Sequence, residues 1–247
     1  MVMLQNTSFD EAQGPICFAA FGDPVSDILT EVPYEFLSAA GIEEPGGCVT
    51  IEEAELKKYS SLFTGTSVRI PGGSAANVAK GLANLGLGDD FEAQFFGMVG
   101  KDEVGGAYGD ALRVQNVAPR LLVSSQPTPS AQCLSLVTPD GQRTMRTFLG
   151  AASQLTPKDL GPEWLDRRCT HLHMEGYTLY RPELARAVLE EARRVGARTS
   201  LDLASFELVR LRRAELQALL DDGLVDLVFC NEEEAAELVR GLGSAEG

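Results

Sequence analysis

A regular alternation of short apolar runs and amphipathic segments in the last third of the sequence constrains the fold most strongly. Between residues 170 and 242, each short predicted strand is followed by a segment with helical periodicity. Parallel strands need a crossover connection, usually a helix, so this alternation builds βαβ units and a parallel sheet covered on both faces. The sequence therefore predicts an α/β fold. The predicted strands span 171–174, 199–203 and 226–230, and the predicted helices span 182–195, 211–220 and 232–242.

The first part of the sequence predicts further strands of this sheet and a smaller β element. Buried strands are predicted at 16–21 and 93–99, and a helix at 52–62. Three β-rich runs follow one another without a helix between them, at 121–125, 132–138 and 144–149. The turn Pro139-Asp140-Gly141 between the last two is typical of a hairpin. We therefore expect a local antiparallel element that forms a flap over a ligand-binding site.

The charge balance narrows the classes of partner. The 247 residues carry a formal net charge of −15, which argues against a broad basic surface for nucleic acid or an anionic membrane. A local nest of N–H groups still allows an anionic ligand on an acidic protein. No apolar run approaches the roughly 18 residues that a membrane-spanning helix needs. The N-terminal segment lacks a signal-peptide pattern, and the five cysteines lack CxxC spacing, so we expect a cytoplasmic protein with reduced thiols.

A glycine pair, Gly72-Gly73, stands between a β-leaning run and a helix with apolar residues at Val78 and Leu82. Two residues without a Cβ let the backbone approach a ligand closely, and the helix that follows directs unpaired N–H groups towards it. Asn77 in the first turn adds an amide that both donates and accepts hydrogen bonds. This segment predicts the floor of a pocket for a hydroxyl-rich or anionic small molecule, with a plain tight turn and capped helix as the alternative.

Polar side chains follow the predicted strands at the point where each strand ends. In a parallel α/β sheet, ligands bind beyond the carboxyl ends of the strands. We therefore expect the candidate site at this edge of the sheet. The polar residues just beyond strand ends are Asp23, Asp27, Asp102, Glu175, Asp202, Asn231 and Glu234.

Four motifs in order carry a family resemblance. They are Gly22-Asp23-Pro24-Val25-Ser26-Asp27, the Gly72-Gly73…Asn77 helix, the segment from Gly97 to Gly105, and Asn231-Glu232-Glu233-Glu234. Together they resemble the PfkB (ribokinase/adenosine kinase) superfamily of sugar and nucleoside kinases. The resemblance implies a Rossmann-like three-layer sandwich with a mostly parallel central sheet, and a small β lid contributed by parts of about 28–70 and 119–135. It also implies transfer of the ATP γ-phosphoryl group to a hydroxymethyl group of a sugar or nucleoside.

The resemblance assigns substrate contacts to residues near the first strand and the glycine pair. It implies that Asp27 accepts hydrogen bonds from two substrate hydroxyls, for which a carboxylate has the acceptor capacity. Gly72, Gly73 and Asn77 then hold the sugar from the other side. Asp23 is expected either to touch the substrate or to form a turn, and Asp27 has turn or helix capping as its alternative. Glu175 resembles a substrate-contacting acid of ribokinase-like relatives.

Asn231 and Glu234 lie one turn apart at the start of the last predicted helix. The resemblance implies that they order Mg²⁺, partly through water, and the phosphates of ATP. Mg²⁺ prefers oxygen ligands and keeps several waters, so one carboxylate plus phosphates suffices. The local alternative is a helix cap, because Asn is a good N-cap and acidic residues stabilise a helix N-terminus. The resemblance leaves open a monovalent cation in the full-length protein and a homodimer formed through the lid.

One family motif is missing from the sequence. The resemblance places the general base in a Gly-Ala-Gly-Asp segment downstream of Asn231, and none of the 247 residues supplies it. We therefore assign no catalytic residue within 1–247, expect the base beyond Gly247, and interpret 1–247 as an incomplete ribokinase-like domain. The similar run Gly105–Asp110 is rejected as a substitute because a helix is predicted there.

The missing motif leaves more than one function open. We expect a fragment of a kinase with little activity alone, and the alternative is a non-catalytic PfkB-like binding or scaffold subunit. A dinucleotide-dependent oxidoreductase is disfavoured because no G-x-G-x-x-G follows the first strand. The segment 201–207 and the hairpin favour adenosine-kinase-like members slightly over fructokinases.

Overall fold

Residues 16–43, 45–63 and 65–242 are described in this computed structural model, and its larger sheet has six strands. These are β1 (Ile16–Phe21), β5 (Phe91–Val99), β6 (Val117–Val123), β9 (Cys169–Met174), β10 (Arg198–Asp202) and β11 (Leu227–Phe229). Their order across the sheet is β11-β10-β9-β1-β5-β6, and every neighbouring pair is parallel. All carboxyl ends therefore meet at one edge, as the alternating pattern predicts.

Helices cover both faces of this central sheet. The helices that surround it are α3 (Ser74–Ala83), α4 (Glu103–Val114), α5 (Pro182–Val195), α6 (Phe206–Leu211), α7 (Arg213–Asp221) and α8 (Glu232–Leu242). Phe18 and Ala20 of β1 belong to one apolar core with α3 and α4. Ala19 and Phe21 belong to the other core, with α5, α6 and α7. Because alternate side chains of a strand point to opposite faces, β1 is buried between two helical layers, and the predicted three-layer α/β fold is confirmed.

Helix α5 shows how the sequence sets such a layer. Pro182 stands in its first turn, where the missing N–H costs nothing, and Gly196 ends it in the left-handed region at φ 82°. Leu184, Val188 and Ala192 recur at helical spacing and are all buried against the sheet.

Within the part of the chain that the structure describes, no helix is both long and apolar enough to cross a membrane.

A second sheet of five strands stands above the carboxyl edge of the first. It consists of β2 (Ser26–Glu31), β3 (Cys48–Thr50), β4 (Val68–Pro71), β7 (Gln132–Val137) and β8 (Arg143–Phe148), in the order β3-β8-β7-β2-β4. Helices α1 (Tyr34–Ala40) and α2 (Glu53–Leu62) pack on one of its faces through Leu37 and Leu56, which join Leu134 and Leu136 of β7 in a third core. We call this sheet and its two helices the lid.

The lid takes in parts of both expected segments, about 28–70 and 119–135, and continues beyond the second one. The first segment and the hairpin of β7 and β8 lie in it, and this hairpin is antiparallel. Residues 117–123, however, form β6 of the central sheet, where Pro119 is in register with Phe95 of β5. Val117 and Leu121 pack into the core beneath α3 and α4, and this burial outweighs a local hairpin. The lid instead extends to residue 148.

A cluster of hydrogen bonds around Asp102 joins the central sheet to the lid. Asp102 caps α4 by accepting from the backbone N–H of Gly105 at 2.8 Å, and it also accepts from the backbone N–H and the hydroxyl of Ser130 at 2.8 and 2.6 Å. Burial acts to raise the pKa of Asp102, but the hydrogen bonds from Ser130 and Gly105 outweigh it and hold the pKa below its ordinary value. The segment from Gly100 to Gly105 therefore positions the loop at Ser130 that leads into the lid.

We predict that Asp102→Ala lowers the free energy of unfolding by about 2 kcal/mol, because it removes a helix cap and two further hydrogen bonds. Asp110→Ala in the same helix is the control, since Asp110 is exposed and pairs only with Arg113. Its effect should stay within about 0.5 kcal/mol. Urea unfolding curves measure the free energy of unfolding of both variants. Equal decreases in the two would contradict a stabilising role of the hydrogen bonds around Asp102.

Candidate active site at the junction of sheet and lid

Two connections meet where the carboxyl edge of the central sheet passes into the lid. The exit of β1 leads through Asp23 into β2, which contains Asp27, and β4 leads through Gly72 and Gly73 into α3. Asp27 lies directly against Gly72, where a Cβ built on the glycine would stand only 2.5 Å from the Asp27 carboxyl carbon. The sequence motifs around residues 22–27 and 72–77 are thus brought together in the structure.

The Asp27 carboxyl group is half-buried between the lid and α3. Burial raises its pKa from the ordinary value, while the charges of Lys80 and Arg143 act in the opposite direction. Lys80 is fixed nearby, since its Nζ donates a hydrogen bond to the carbonyl of Pro71 at 2.5 Å. Two cations therefore favour the ionised form of a carboxylate that retains free acceptor positions.

Neither position of the glycine pair has room for a side chain. Gly73 has φ 88°, and a Cβ there would lie 2.7 Å from the backbone oxygen of Asp23. The Tyr108 hydroxyl of α4 donates a hydrogen bond to the carbonyl of Gly72 at 2.8 Å. The loop is therefore held by a buried side chain from another helix. Sequence reasoning missed this role, because Tyr108 shares the apolar periodicity of α4 and its hydroxyl gives no signal of its own.

Glu175, which follows β9, lies behind the pocket floor. Its carboxyl group accepts from the backbone N–H of Asp23 at 2.7 Å, from the Ser74 hydroxyl at 3.1 Å and from the backbone N–H of Ala75 at 3.4 Å. The residue is only 2% exposed. The N-terminus of α3, which was expected to face a ligand, is thus occupied by a carboxyl group of the chain itself, and the expectation of a substrate contact for Glu175 does not fit this burial.

Asp23 is engaged in a buried ion pair. Its Oδ1 accepts from Nη2 of Arg181 at 2.6 Å, and Arg181 also donates to the backbone carbonyl of Ala152. The expected choice for Asp23 lay between a substrate contact and a turn, and the structure adds this third role. Arg181 carries no motif signal in the sequence, since it precedes the proline that opens α5.

Asn77 completes the open part of the site. It is exposed on α3, one turn beyond Gly73. Of the polar side chains in the two motifs, the half-buried Asp27 carboxylate and the exposed Asn77 amide remain accessible. A carboxylate that accepts two hydrogen bonds and an amide that donates and accepts are complementary to a pair of neighbouring hydroxyl groups.

Asn231 and Glu234 lie at the same edge of the sheet but apart from this cluster. They follow β11, which is separated from β1 by β9 and β10, a span of about 14 Å at the usual strand spacing. The two side chains cap α8 reciprocally: Glu234 accepts from the backbone N–H and the amide of Asn231 at 2.9 and 3.0 Å, and Asn231 accepts from the Glu234 N–H at 2.9 Å. The local capping interpretation is therefore realised in the structure.

No cluster of three or more His, Cys, Asp or Glu side chains suited to a metal ion occurs in residues 16–43, 45–63 and 65–242. Asp202, at the end of β10 between Glu175 and Asn231, accepts from the backbone N–H of Ala204 at 3.1 Å and so closes a local turn. A metal ion held at this edge would therefore take most of its ligands from water and from a bound phosphate.

The expected general base has no counterpart in the site as described. Its predicted place is beyond Gly247, and Gly247 itself lies outside the described residues, which end at residue 242. The rejected substitute, the run from Gly105 to Asp110, lies entirely within α4, where Gly105, Tyr108 and Gly109 are buried. Its N–H groups are therefore those of a packed helix, and the location of the base beyond Gly247 stays a prediction.

Comparison with known proteins places the chain among carbohydrate kinases of the pfkB family. Residues 50–246 match the sequence profile described as pfkB family carbohydrate kinase. Adenosine kinase of Dictyostelium discoideum is 27% identical over 229 residues, which are 91% of this chain and 66% of that protein. The chain thus spans just under two thirds of the length of this relative.

Two solved structures share the fold and more than a quarter of the sequence. The crystal structure of adenosine kinase from Sinorhizobium meliloti has a TM-score of 0.75 and 31% identity, and the similarity covers 92% of this chain and 68% of that one. A probable sugar kinase protein from Rhizobium etli CFN 42 has a TM-score of 0.75 and 30% identity, covering 92% and 67%. This chain is therefore similar to adenosine kinases and also to a probable sugar kinase protein.

We predict that Gly73→Ala lowers the free energy of unfolding by about 2 kcal/mol, because Ala is strained at positive φ and its methyl group meets the Asp23 backbone. Gly81→Ala in the same helix is the control. A Cβ at Gly81 has open space around it, and Ala is favoured over Gly in a helix by about 1 kcal/mol. Denaturant unfolding of both variants should give opposite signs, and a neutral Gly73→Ala would show that the loop adapts freely.

Proposed function

Because the chain belongs to the pfkB family of carbohydrate kinases, we propose that it binds a nucleoside of the adenosine type as substrate for phosphoryl transfer from ATP to a hydroxymethyl group. The single observation that carries the proposal is the placement of Asp27 against Gly72, with Asn77 one turn away. The adenosine kinases among the similar proteins favour a nucleoside over a simple sugar.

The proposed binding step uses the open groups of the site. Asp27 accepts hydrogen bonds from two neighbouring hydroxyls of the ribose, and the absence of a side chain at Gly72 leaves room for the Asp27 carboxylate itself. Asn77 binds the ring from the side of α3. The charges of Lys80 and Arg143 oppose the rise that burial causes in the pKa of Asp27, and the ionised carboxylate acts purely as an acceptor.

ATP and Mg²⁺ are the cofactors that this function requires. The Asn231 and Glu234 side chains offer hard oxygen donors, which suit Mg²⁺. Glu234 uses two hydrogen bonds in its cap, and a carboxylate has about four acceptor positions, so two remain for water bound to a metal ion. Bound Mg²⁺ neutralises phosphate charge and so supports transfer of the phosphoryl group.

The sequence contains no Gly-Ala-Gly-Asp segment, so binding and turnover need separate tests. A kinase and a non-catalytic binding subunit of the same family both predict nucleoside binding through Asp27. They differ in the formation of nucleoside monophosphate when the chain is incubated with adenosine, ATP and Mg²⁺. Product in a chromatographic assay identifies the kinase. A kinase without its general base and a non-catalytic subunit both predict no product from residues 1–247, so the same assay on the full-length protein then separates the two.

We predict that the chain binds adenosine and that Asp27→Asn weakens this binding by about 10- to 100-fold, since hydrogen bonds to a charged group contribute about 1.5–3 kcal/mol. Titration calorimetry with adenosine, inosine, ribose and fructose measures the affinity and ranks the substrates. Glu31→Gln is the matched control, because Glu31 ends the same strand and is exposed.

Two results would count against the nucleoside site. One is a cooperatively folded wild-type chain that binds none of the four ligands. The other is an Asp27→Asn variant that binds adenosine as tightly as the Glu31→Gln control, which would place the site elsewhere.

We also predict that Glu234→Gln weakens binding of a non-hydrolysable ATP analogue about tenfold in Mg²⁺, because one negative charge facing the metal shell is lost. The effect should vanish in EDTA. Glu233→Gln, at an exposed neighbouring position, serves as the control for net charge. If both variants lose the same affinity, or the loss persists without Mg²⁺, Glu234 acts only as a helix cap.

A further inference from the structure

Glu175 is a buried carboxyl group that the proposed substrate contacts do not use. Each of its hydrogen bonds reaches a segment that builds the pocket: the N–H of Asp23 at the exit of β1, and the Ser74 hydroxyl and Ala75 N–H in the first turn of α3. The packing around it is tight, because a Cβ at Gly22 would stand 2.9 Å from the Glu175 Cγ. Burying a carboxyl group is costly unless its hydrogen bonds repay the loss of water.

The position of this carboxyl group matters for the ligand. A helix N-terminus with free N–H groups attracts phosphate and other anions. At α3 this place is filled from within the chain, and the ligand on the other side of the glycine pair meets the Asp27 carboxylate instead. Both features favour a neutral, hydroxyl-bearing ligand and disfavour one that already carries phosphate at this end.

We propose that Glu175 is a positioning residue that fixes the exit of β1 to the first turn of α3 and closes that helix N-terminus to anionic ligands. The inference rests on the proposed nucleoside site, which it deepens by assigning the exclusion of phosphorylated substrates to one residue. Glu175 acts through Asp23, Ser74 and Ala75 and does not touch the ligand.

The charges around Glu175 give a readout that needs no ligand. Asp23, paired with Arg181, faces it from the end of β1, Tyr108 from α4, and Tyr177 from the short helical turn after β9. Burial, together with repulsion from Asp23, raises the pKa of Glu175 from 4.5 to about 8. A group with a raised folded-state pKa binds a proton longer in the folded state, so its contribution to stability is full below pH 4.5 and is lost as pH rises towards 8.

The test compares Glu175→Ala and Glu175→Gln with wild type, with Glu190→Gln as an exposed control on α5. Calorimetry with adenosine should show at least a tenfold loss for Glu175→Ala and less than a threefold loss for Glu175→Gln, because the amide retains an acceptor for the Asp23 N–H. Inorganic phosphate should bind to Glu175→Ala, whose helix N-terminus is open, and to neither wild type nor Glu175→Gln.

Unchanged adenosine affinity in a folded Glu175→Ala variant that also fails to bind phosphate would overturn the proposal. If Glu175→Ala does not fold, the stability of Glu175→Gln relative to wild type decides: it should increase from pH 5 to pH 8 and then level off, and a flat difference overturns the proposal. If wild type binds no nucleoside, the proposed function fails by itself. Phosphate binding by Glu175→Ala and the pH dependence of stability then still decide the role of Glu175.

Discussion

Close contact between backbone segments at the carboxyl edge of the central sheet is the constraint on which the site depends. A Cβ at Gly97 would lie 2.6 Å from the carbonyl of Gly22, and a Cβ at Gly73 would lie 2.7 Å from the carbonyl of Asp23. These approaches bring the ends of β1 and β5 and the start of α3 closer together than side chains allow. The lid strand that carries Asp27 begins within a few residues of this contact, so its place over the pocket follows from it.

The buried charged groups at this junction have partners within the chain, whereas the accessible polar groups do not use theirs up. Asp23 and Arg181 satisfy each other below the surface, and Glu175 satisfies the N-terminus of α3. Asp27 and Asn77 remain accessible above. Removing one member of a buried pair leaves an uncompensated charge, whereas changing an accessible acceptor mainly affects the ligand.

The sequence predicted the layers of the fold, because these depend on local patterns. The helix 182–195 and the strand 16–21 matched in full, and the motifs containing Asp27 and Gly73 were correctly expected to meet. The placement of residues 117–123 was not predictable, because pairing with β5 is a long-range choice that a run of β-rich residues does not encode. Nor were the roles of Tyr108 and Arg181, since each acts through a partner more than 30 residues away. For Glu175, the position after a strand was visible, but whether it faces a ligand or the helix behind it depends on three-dimensional packing.

The central position of β1 also determines when the fold can form during synthesis. This strand is made first among the six, yet the hydrogen bond from Thr170 to Cys17 spans 153 residues, so one of its flanking strands emerges from the ribosome much later. Until then a strongly apolar segment has no partner on that side, and contacts of such long sequence separation form slowly. Until β9 has been translated, this N-terminal strand is therefore an exposed apolar segment of the kind that chaperones bind.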